Sequence, residues 1–495
     1  MSKNNQSEDL FLLIQSLTKE EKRYIKLFAK SIGGSVSKYI KLFDILDAQP
    51  KYDEAELKTK LYKQKINILQ LANYKLYLYK FICKALANLD EKQSIEEEIL
   101  AGLRSVKVLY RKRLYPQALR LLAHLEEQAR DFDKIFYILR ILDWQLVIHQ
   151  NTSFAELTLS DFEALKAKEK EAMAHVALTL EYRLSLQQLG IQRKYYYSRD
   201  VSANFEINVL PLPSADALSA HIAYYQAAAL KYSFLRDYNI CVDTLQDSLN
   251  FISARPQWLK DSDTHAVYVA NLSSILGYLT QVDRPDIFAI NKARAENLDT
   301  SRISATQKAM LLQNQQLFFM HRKDFDSAAR ISVDLLAFLQ TVAEKDIIPI
   351  HLAVIYFTIA AINIHLSHWD EAEKLLETTI RFKNSSSPQM YNSARLLYLL
   401  IYYERGEFLL MPHSVRTLYR SLYKEQHLYP FERLFLQALR RLADCADDTQ
   451  KQKILSQLAK KWQKIIATAT PVELEPLQYF DYMYWLAAKR TKKGI

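Results

Sequence analysis

Along most of the chain, apolar side chains recur every three or four positions, and polar side chains fill the positions between them. This is the spacing of an amphipathic α-helix. From about residue 94 onward the helical stretches come in pairs, which short polar turns connect. The pattern therefore predicts a chain of helical hairpins. The predicted pairs and single helices are 94–113 with 116–130, 214–235 with 238–253, 264–281 with 286–296, 304–321 with 325–343, 349–366 with 370–382, 388–404 with 412–425, and then 430–446, 449–467 and 472–490.

Residues 1–92 follow a different pattern, with shorter helices. Thr18 and Glu21 have the spacing of a capping box, in which each side chain binds a free amide at the start of a helix. A glycine pair at 33–34 should end this helix, and further helices are predicted at 37–48, 53–61 and 66–89. The stretch 131–213 is predicted to be less regular, with a helix around Trp144, a charged run at 166–171 and a loop at 198–213.

Four of the predicted hairpins share a turn in which an aromatic residue precedes a small or slender residue by three positions. The small residue has a mechanical explanation, because two helices can cross closely only where neither carries a large side chain. Repeated units at intervals of roughly 20–50 residues indicate stacked supersecondary structure. The four pairs are Tyr238 with Cys241, Phe325 with Ala328, Trp369 with Ala372, and Phe408 with Met411.

Residues 356–380 resemble a tetratricopeptide repeat (TPR). They match the family's bulky and small positions at Tyr356, Ile359, Ala360, Trp369, Ala372 and Leu376, whereas Asn363 stands where an aromatic residue is usual. A second copy fits almost as well, and the copies at 312–335 and 395–418 match in part. Most intervals exceed the family's 34 residues and are closer to those of HEAT-type repeats. Residues 1–92 are also similar to N-terminal regions of bacterial TPR-like proteins. The second copy consists of Tyr225, Ala228, Ala229, Tyr232, Tyr238, Cys241 and Leu245.

The resemblance implies an all-α fold: a right-handed α-solenoid of TPR-like hairpins that follows an N-terminal helical bundle. We expect a basic bundle at 1–92, first hairpins with an irregular insertion at 93–213, the solenoid at 214–430 and capping helices at 431–495. In this family the first helix of each hairpin lines a concave groove, and the mostly apolar positions here imply a hydrophobic or helical ligand. Alternatively, these residues pack on a neighbouring helix or on the N-terminal bundle. The groove candidates are Gln226, Leu230, Phe234, Gln313, Leu317, Met320, Phe357, Ile364, His365, Leu396, Leu400 and Tyr403.

Composition supports the all-α prediction. Only 7 glycines and 12 prolines occur in 495 residues, and strand hairpins and phosphate-binding loops both need glycine. Cys83, Cys241 and Cys445 are too far apart for a CxxC pair, which is typical of a reducing compartment. The polar N-terminus lacks the pattern of a signal peptide. We therefore predict a cytoplasmic protein.

The sequence offers little catalytic chemistry. His365 and His368 have a spacing that a metal could use, but no glutamate or third ligand accompanies them. We predict no catalytic residues, no metal and no cofactor, and hence a protein that is not an enzyme. The uncharged stretch 349–366 approaches the length of a membrane span, but polar residues interrupt it. We predict a buried helix there and no membrane insertion.

Positive charge is concentrated near the N-terminus. Residues 19–84 contain 15 Lys or Arg and only 7 Asp or Glu, within a net charge of +10. Clustered cations attract phosphate backbones, although the lysines of an amphipathic helix can simply occupy its solvent side. The basic-patch candidates are Lys75, Lys80, Lys84, Arg104, Lys107, Arg111, Lys112 and Arg113.

Two functional hypotheses follow. The first is a non-catalytic scaffold or adaptor that binds a partner protein or peptide through the concave surface. The second is a regulator whose basic N-terminal bundle contacts nucleic acid while the solenoid senses a peptide or partner. A continuous exposed lysine patch would favour the second hypothesis, and lysines divided by acidic residues would favour the first.

Overall fold

A computed structural model describes residues 5–32, 37–64, 66–90, 94–155, 157–197, 208–214, 217–425, 427–468, 477 and 480–491. Every regular element in these ranges is helical, so the all-α prediction is confirmed. The chain divides into two compact units, Met1–Tyr278 (unit 1) and Leu279–Ile495 (unit 2). The domain boundaries drawn from the sequence stay predictions.

Unit 1 begins with five helices, of which α1, α2 and α3 pack against α5. The predicted capping box forms, because the Thr18 hydroxyl accepts from the Glu21 amide at 3.2 Å and the Glu21 carboxylate accepts from the Thr18 amide at 2.7 Å. The sequence pattern missed α1, although Leu10 and Ile14 of α1 lie fully in the core. The helices are α1 (Asn5–Ser16), α2 (Lys19–Ile32), α3 (Ser37–Asp47), α4 (Glu54–Lys63) and α5 (Leu71–Asp90).

Seven further helices of unit 1 each pack against the next along the chain. The expectation of irregular structure over 131–213 is wrong for most of that stretch, because the charged run at 166–171 lies inside a helix of 39 residues. Residues 208–213 of the predicted loop are non-helical, and 198–207 lie outside the described residues. The helices are α6 (Ile95–Arg111), α7 (Tyr115–Asp131), α8 (Ile135–Asn151), α9 (Leu159–Tyr197), α10 (Leu218–Phe234), α11 (Tyr238–Ser253) and α12 (Ser262–Tyr278).

Unit 2 also consists of helices, and those from residue 305 onward pack on their neighbours in chain order. The predicted buried helix at 349–366 is confirmed as α16, in which Ile355, Ile359 and Ala360 are buried. No described helix combines the length and apolar character that a membrane span requires. The helices are α13 (Pro285–Glu296), α14 (Ala305–His321), α15 (Phe325–Thr341), α16 (Pro349–His365), α17 (Trp369–Arg381), α18 (Pro388–Arg405), α19 (Met411–Lys424), α20 (Pro430–Ala443), α21 (Asp448–Thr468) and α22 (Tyr482–Thr491).

The small residues of the shared turn lie where helices touch. Cys241, Ala328, Ala372 and Met411 are all completely buried. The Cys241 thiol reaches the Ala229 carbonyl oxygen at 3.3 Å, which shows how closely α11 approaches α10. The structure therefore supports the mechanical explanation of these positions.

The hairpin turns also share a backbone geometry. Arg236, Lys323 and Ser367 each have a φ near +60° and follow the last helical residue by two positions. In each turn the next amide bonds back across the helix end, as when the Asp324 amide donates to the Phe319 carbonyl at 3.1 Å. This is the Schellman motif, which usually places glycine at the left-handed position. The repeated turns therefore share a backbone geometry as well as residue types. A right-handed solenoid stays a prediction.

Candidate partner-binding surfaces

The twelve groove candidates divide evenly between buried and half-buried side chains. A buried side chain cannot contact a ligand until its neighbours move, and six candidates lie in the core: Phe234, Gln313, Phe357, Ile364, Leu396 and Leu400. Packing on neighbouring helices, the alternative explanation of these positions, accounts for these six. The half-buried candidates are Gln226, Leu230, Leu317, Met320, His365 and Tyr403.

Residues 480–491, which we call the C-terminal segment, cover two of the half-buried candidates. The His365 imidazole stacks between the rings of Phe325 at 4.3 Å and Phe480 at 4.5 Å. Burial lowers the pKa of His365 to about 4. The negative charge of Asp481 raises this pKa, but by less than burial lowers it. The imidazole is therefore neutral near pH 7. Trp485 lies edge-on to Tyr403 at 6.2 Å.

A buried carboxylate anchors the same segment. The Glu404 side chain is only 3% exposed and pairs with the Lys489 ammonium. It also accepts a hydrogen bond of 2.7 Å from the Trp485 indole N–H. Tyr482 and Leu486 complete the contact, as both lie in the core of unit 2. The chain itself therefore occupies the surface around His365 and Tyr403.

Lys75 does not belong to a basic surface. It is 6% exposed, and its ammonium donates to the Tyr52 hydroxyl at 2.8 Å and to the Glu54 carboxylate at 3.4 Å. A hydrogen bond from Lys58, together with the charge of Lys75, lowers the pKa of Glu54 to about 2. Lys75 is therefore a structural cation inside the N-terminal bundle, whereas Lys80 and Lys84 are exposed on α5.

Acidic side chains lie between the other lysines of the N-terminal bundle. Four of its lysines form ion pairs with carboxylates on the same or a neighbouring helix: Lys22 with Asp47, Lys26 with Asp44, Lys58 with Glu54, and Lys60 with Glu56. These lysines therefore do not form one continuous patch. A separate basic surface lies on α6 and the turn after it, where all five cations are exposed: Arg104, Lys107, Arg111, Lys112 and Arg113.

The sequence interpretation missed an apolar surface on α5. The inward stripe of α5 consists of Leu71, Leu78, Phe81 and Ala85, which are buried. The opposite side, which we call the α5 outer face, carries Leu76, Tyr79, Lys80, Cys83 and Lys84. Leu76 is 45% exposed and Tyr79 40% exposed. The signal was present in the sequence, because a helix with apolar residues outside its inward stripe must expose them.

Titratable side chains could supply a metal site or a nucleophile. The described residues contain no group of three or more side chains that could hold a metal ion. Burial raises the pKa of the Cys241 thiol to about 12, so it is not a nucleophile near pH 7. A cavity of about 310 Å³ in unit 1 is lined by side chains that already bind one another. There, Arg130 lies 3.9 Å from Glu171, and Asp133 lies 3.2 Å from His175.

The chain was also compared with known proteins. No protein-family model and no curated protein sequence matches it. The exposed surfaces that bear on function are the α5 outer face and the basic surface of α6.

Proposed function

We propose that the protein is a cytoplasmic, non-catalytic scaffold that binds another protein. The observation that carries this proposal is the α5 outer face, which exposes the apolar side chains of Leu76 and Tyr79 on a helix whose other side anchors the N-terminal bundle. Exposed apolar patches on a folded protein mark interaction sites. The hairpins that follow, which we propose form a TPR-like right-handed solenoid, supply the extended framework that scaffolds of this kind use.

The charges of the α5 outer face specify the partner's chemistry. Lys80 and Lys84 lie one helical turn apart beside Leu76 and Tyr79, and both ammonium groups are exposed. Two lysines are too few for strong phosphate-backbone binding, in which about 6–10 contacts are usual. An amphipathic helix fits better, with its apolar stripe on Leu76 and Tyr79 and with acidic residues beside the lysines.

We predict that the variant Leu76→Glu/Tyr79→Glu loses its partner. Glutamates at these positions would have to lose their hydration against an apolar surface. Quantitative capture from an extract of the native host, with full-length protein as bait, measures the loss. The matched control is Val333→Glu/Leu409→Glu, which places the same two charges at apolar positions that are 67% and 97% exposed. Equal capture by both variants would contradict the proposed docking surface.

A second candidate function is the nucleic-acid-binding regulator, and the basic surface of α6 favours it. Its five cations form no ion pair with an acidic side chain of the described residues. Arg104, Lys107 and Arg111 lie on one side of α6, because their spacing follows the helical period.

If this surface binds nucleic acid, we expect strong salt dependence. Five phosphate contacts predict an affinity that falls by about 500-fold between 50 and 200 mM salt. Replacing Arg104, Lys107 and Arg111 with glutamine should reduce the slope of log K against log salt by about 3. Fluorescence anisotropy with generic DNA and RNA measures both quantities. An absence of binding at low salt would eliminate this function and leave the scaffold proposal intact.

A further inference from the structure

Three aromatic residues adjoin the basic surface of α6. Tyr110 directly precedes Arg111 in α6, and Tyr115 begins α7 two residues after Arg113. The centre of the Tyr110 ring lies 5.8 Å from that of Tyr115 and 5.4 Å from that of Trp144 on α8. All three are half-buried and pack at the edge of the hydrophobic core that α6, α7 and α8 share. We call these three residues the aromatic cluster.

The polar atoms of the aromatic cluster reach solvent. Among the described residues, no protein group forms a hydrogen bond with the hydroxyls of Tyr110 and Tyr115 or with the Trp144 indole N–H, and none of these atoms is buried. Buried tyrosine and tryptophan side chains usually find a partner for their polar group. The cluster is therefore open to solvent at its rim, beside the cations, and is not sealed into the core.

The charge around the aromatic cluster is positive. Lys107 lies one helical turn before Tyr110 on the same side of α6. The chain has no acidic residue from 99 to 125, and the acidic residues of α6 are confined to its first turn. The Arg140 guanidinium lies 5.7 Å from the centre of the Trp144 ring and pairs with Asp143 at 2.5 Å, which neutralises this carboxylate.

We propose that the basic surface of α6 and the aromatic cluster together bind single-stranded nucleic acid, with the cations on the phosphates and the bases stacked on the rings. This inference rests on the second candidate function, nucleic-acid binding, and specifies its substrate. Single-strand-binding surfaces combine positive charge with aromatic side chains, because every unpaired base offers a flat face for stacking. In a duplex the bases stack on one another, so a duplex contacts the cations alone.

Two strands that differ only in their bases test the proposal on the wild-type protein. The probes are a fluorescent thymidine oligonucleotide of about 12 nucleotides and an abasic strand of the same length. Stacking strengthens binding by about fivefold or more per base, so the abasic strand should bind at least about tenfold more weakly at equal salt. Both strands carry the same phosphates, so the slope of log K against log salt should be the same for both.

The result distinguishes this inference from the function on which it rests. Equal affinities for the two strands would overturn the proposal and leave nucleic-acid binding by the cations intact. If neither strand binds at low salt, both the proposal and the second candidate function are overturned.

The double variant Tyr110→Leu/Trp144→Leu tests the aromatic cluster itself, because leucine keeps apolar contact with the core but removes the rings. We expect its affinity for the thymidine strand to fall to that of the abasic strand, while its affinity for the abasic strand stays within about twofold of the wild type. Tyr423→Leu on α19, where the tyrosine is 70% exposed, is the matched control and should bind both strands like the wild type. A variant that weakens both strands equally would show that the rings serve only the fold, and would overturn the proposal.

Competition separates a nucleic acid from an acidic protein as the ligand. Polyglutamate with as many charges as the thymidine oligonucleotide offers no bases to the rings. It should therefore displace the labelled oligonucleotide at least about tenfold less effectively than the unlabelled oligonucleotide does. Equally effective displacement would indicate an acidic protein partner and overturn the proposal.

Discussion

Replacing Trp485 with alanine is expected to destabilise unit 2 by about 4 kcal/mol, within the range measured for buried tryptophans. The Trp485 side chain is 5% exposed and packs edge-on against Phe435 at 6.2 Å. Its indole N–H also donates to Glu404, whose buried carboxylate would keep only Lys489 as a partner in the variant. The loss therefore combines a cavity with a weakened anchor for the C-terminal segment.

Hydrogen exchange measured by mass spectrometry suits this prediction, because a chain of two units does not unfold in one step. We expect exchange to accelerate most in α20 and α21, whose Phe431 and Trp462 pack on Tyr482 of the segment. Trp485→Phe loses the hydrogen bond but keeps most of the packing, so it should cost about 2 kcal/mol. An effect of Trp485→Ala below about 1 kcal/mol would mean that the segment does not cover His365 and Tyr403 in solution.

The sequence predicted the helices of the hairpins well because two strong signals agreed. Apolar periodicity located α14 to α19, and scarce glycine left little alternative to helix. The capping box at Thr18 and the buried positions of Cys241 and Ala372 followed from local chemistry alone. Such features depend on residues close together in sequence, so they can be inferred without knowledge of the tertiary structure.

The structural features that could not be predicted from the sequence depend on contacts between residues far apart in the chain. The groove prediction assumed that His365 and Tyr403 face solvent. The C-terminal segment covers both, and its contact with Tyr403 comes from residues more than 80 positions further along the chain. The turns at Arg236, Lys323 and Ser367 are left-handed without glycine, which removes the usual signal. The charged run at 166–171 suggested irregular structure, whereas it lies inside α9. A lysine-rich segment can form either irregular structure or part of a helix, and its packing partners determine which of the two it forms.

The Lys134→Met variant is the second change with a large expected effect, a loss of about 3–5 kcal/mol in unit 1. The Lys134 ammonium lies 3.1 Å from the Asp261 carboxylate, which is completely buried. Asp261 also accepts from the Thr264 amide at 3.1 Å and the Thr264 hydroxyl at 3.0 Å. Methionine would fill the space of the lysine but leave the buried carboxylate without its cation, and this uncompensated charge causes the loss.

Asp263 provides a matched control, because Lys134 contacts it at 3.3 Å but its side chain is 63% exposed. Asp263→Ala should cost less than about 1 kcal/mol, as exposed ion pairs do. The double variant Lys134→Met/Asp261→Leu removes both buried charges and should recover much of the loss. Hydrogen exchange of α8 and α12 measures all three variants. The two contacts of Lys134 differ chiefly in the burial of the carboxylate. Equal effects of Lys134→Met and Asp263→Ala would therefore show that the buried pair does not hold α8 against the start of α12.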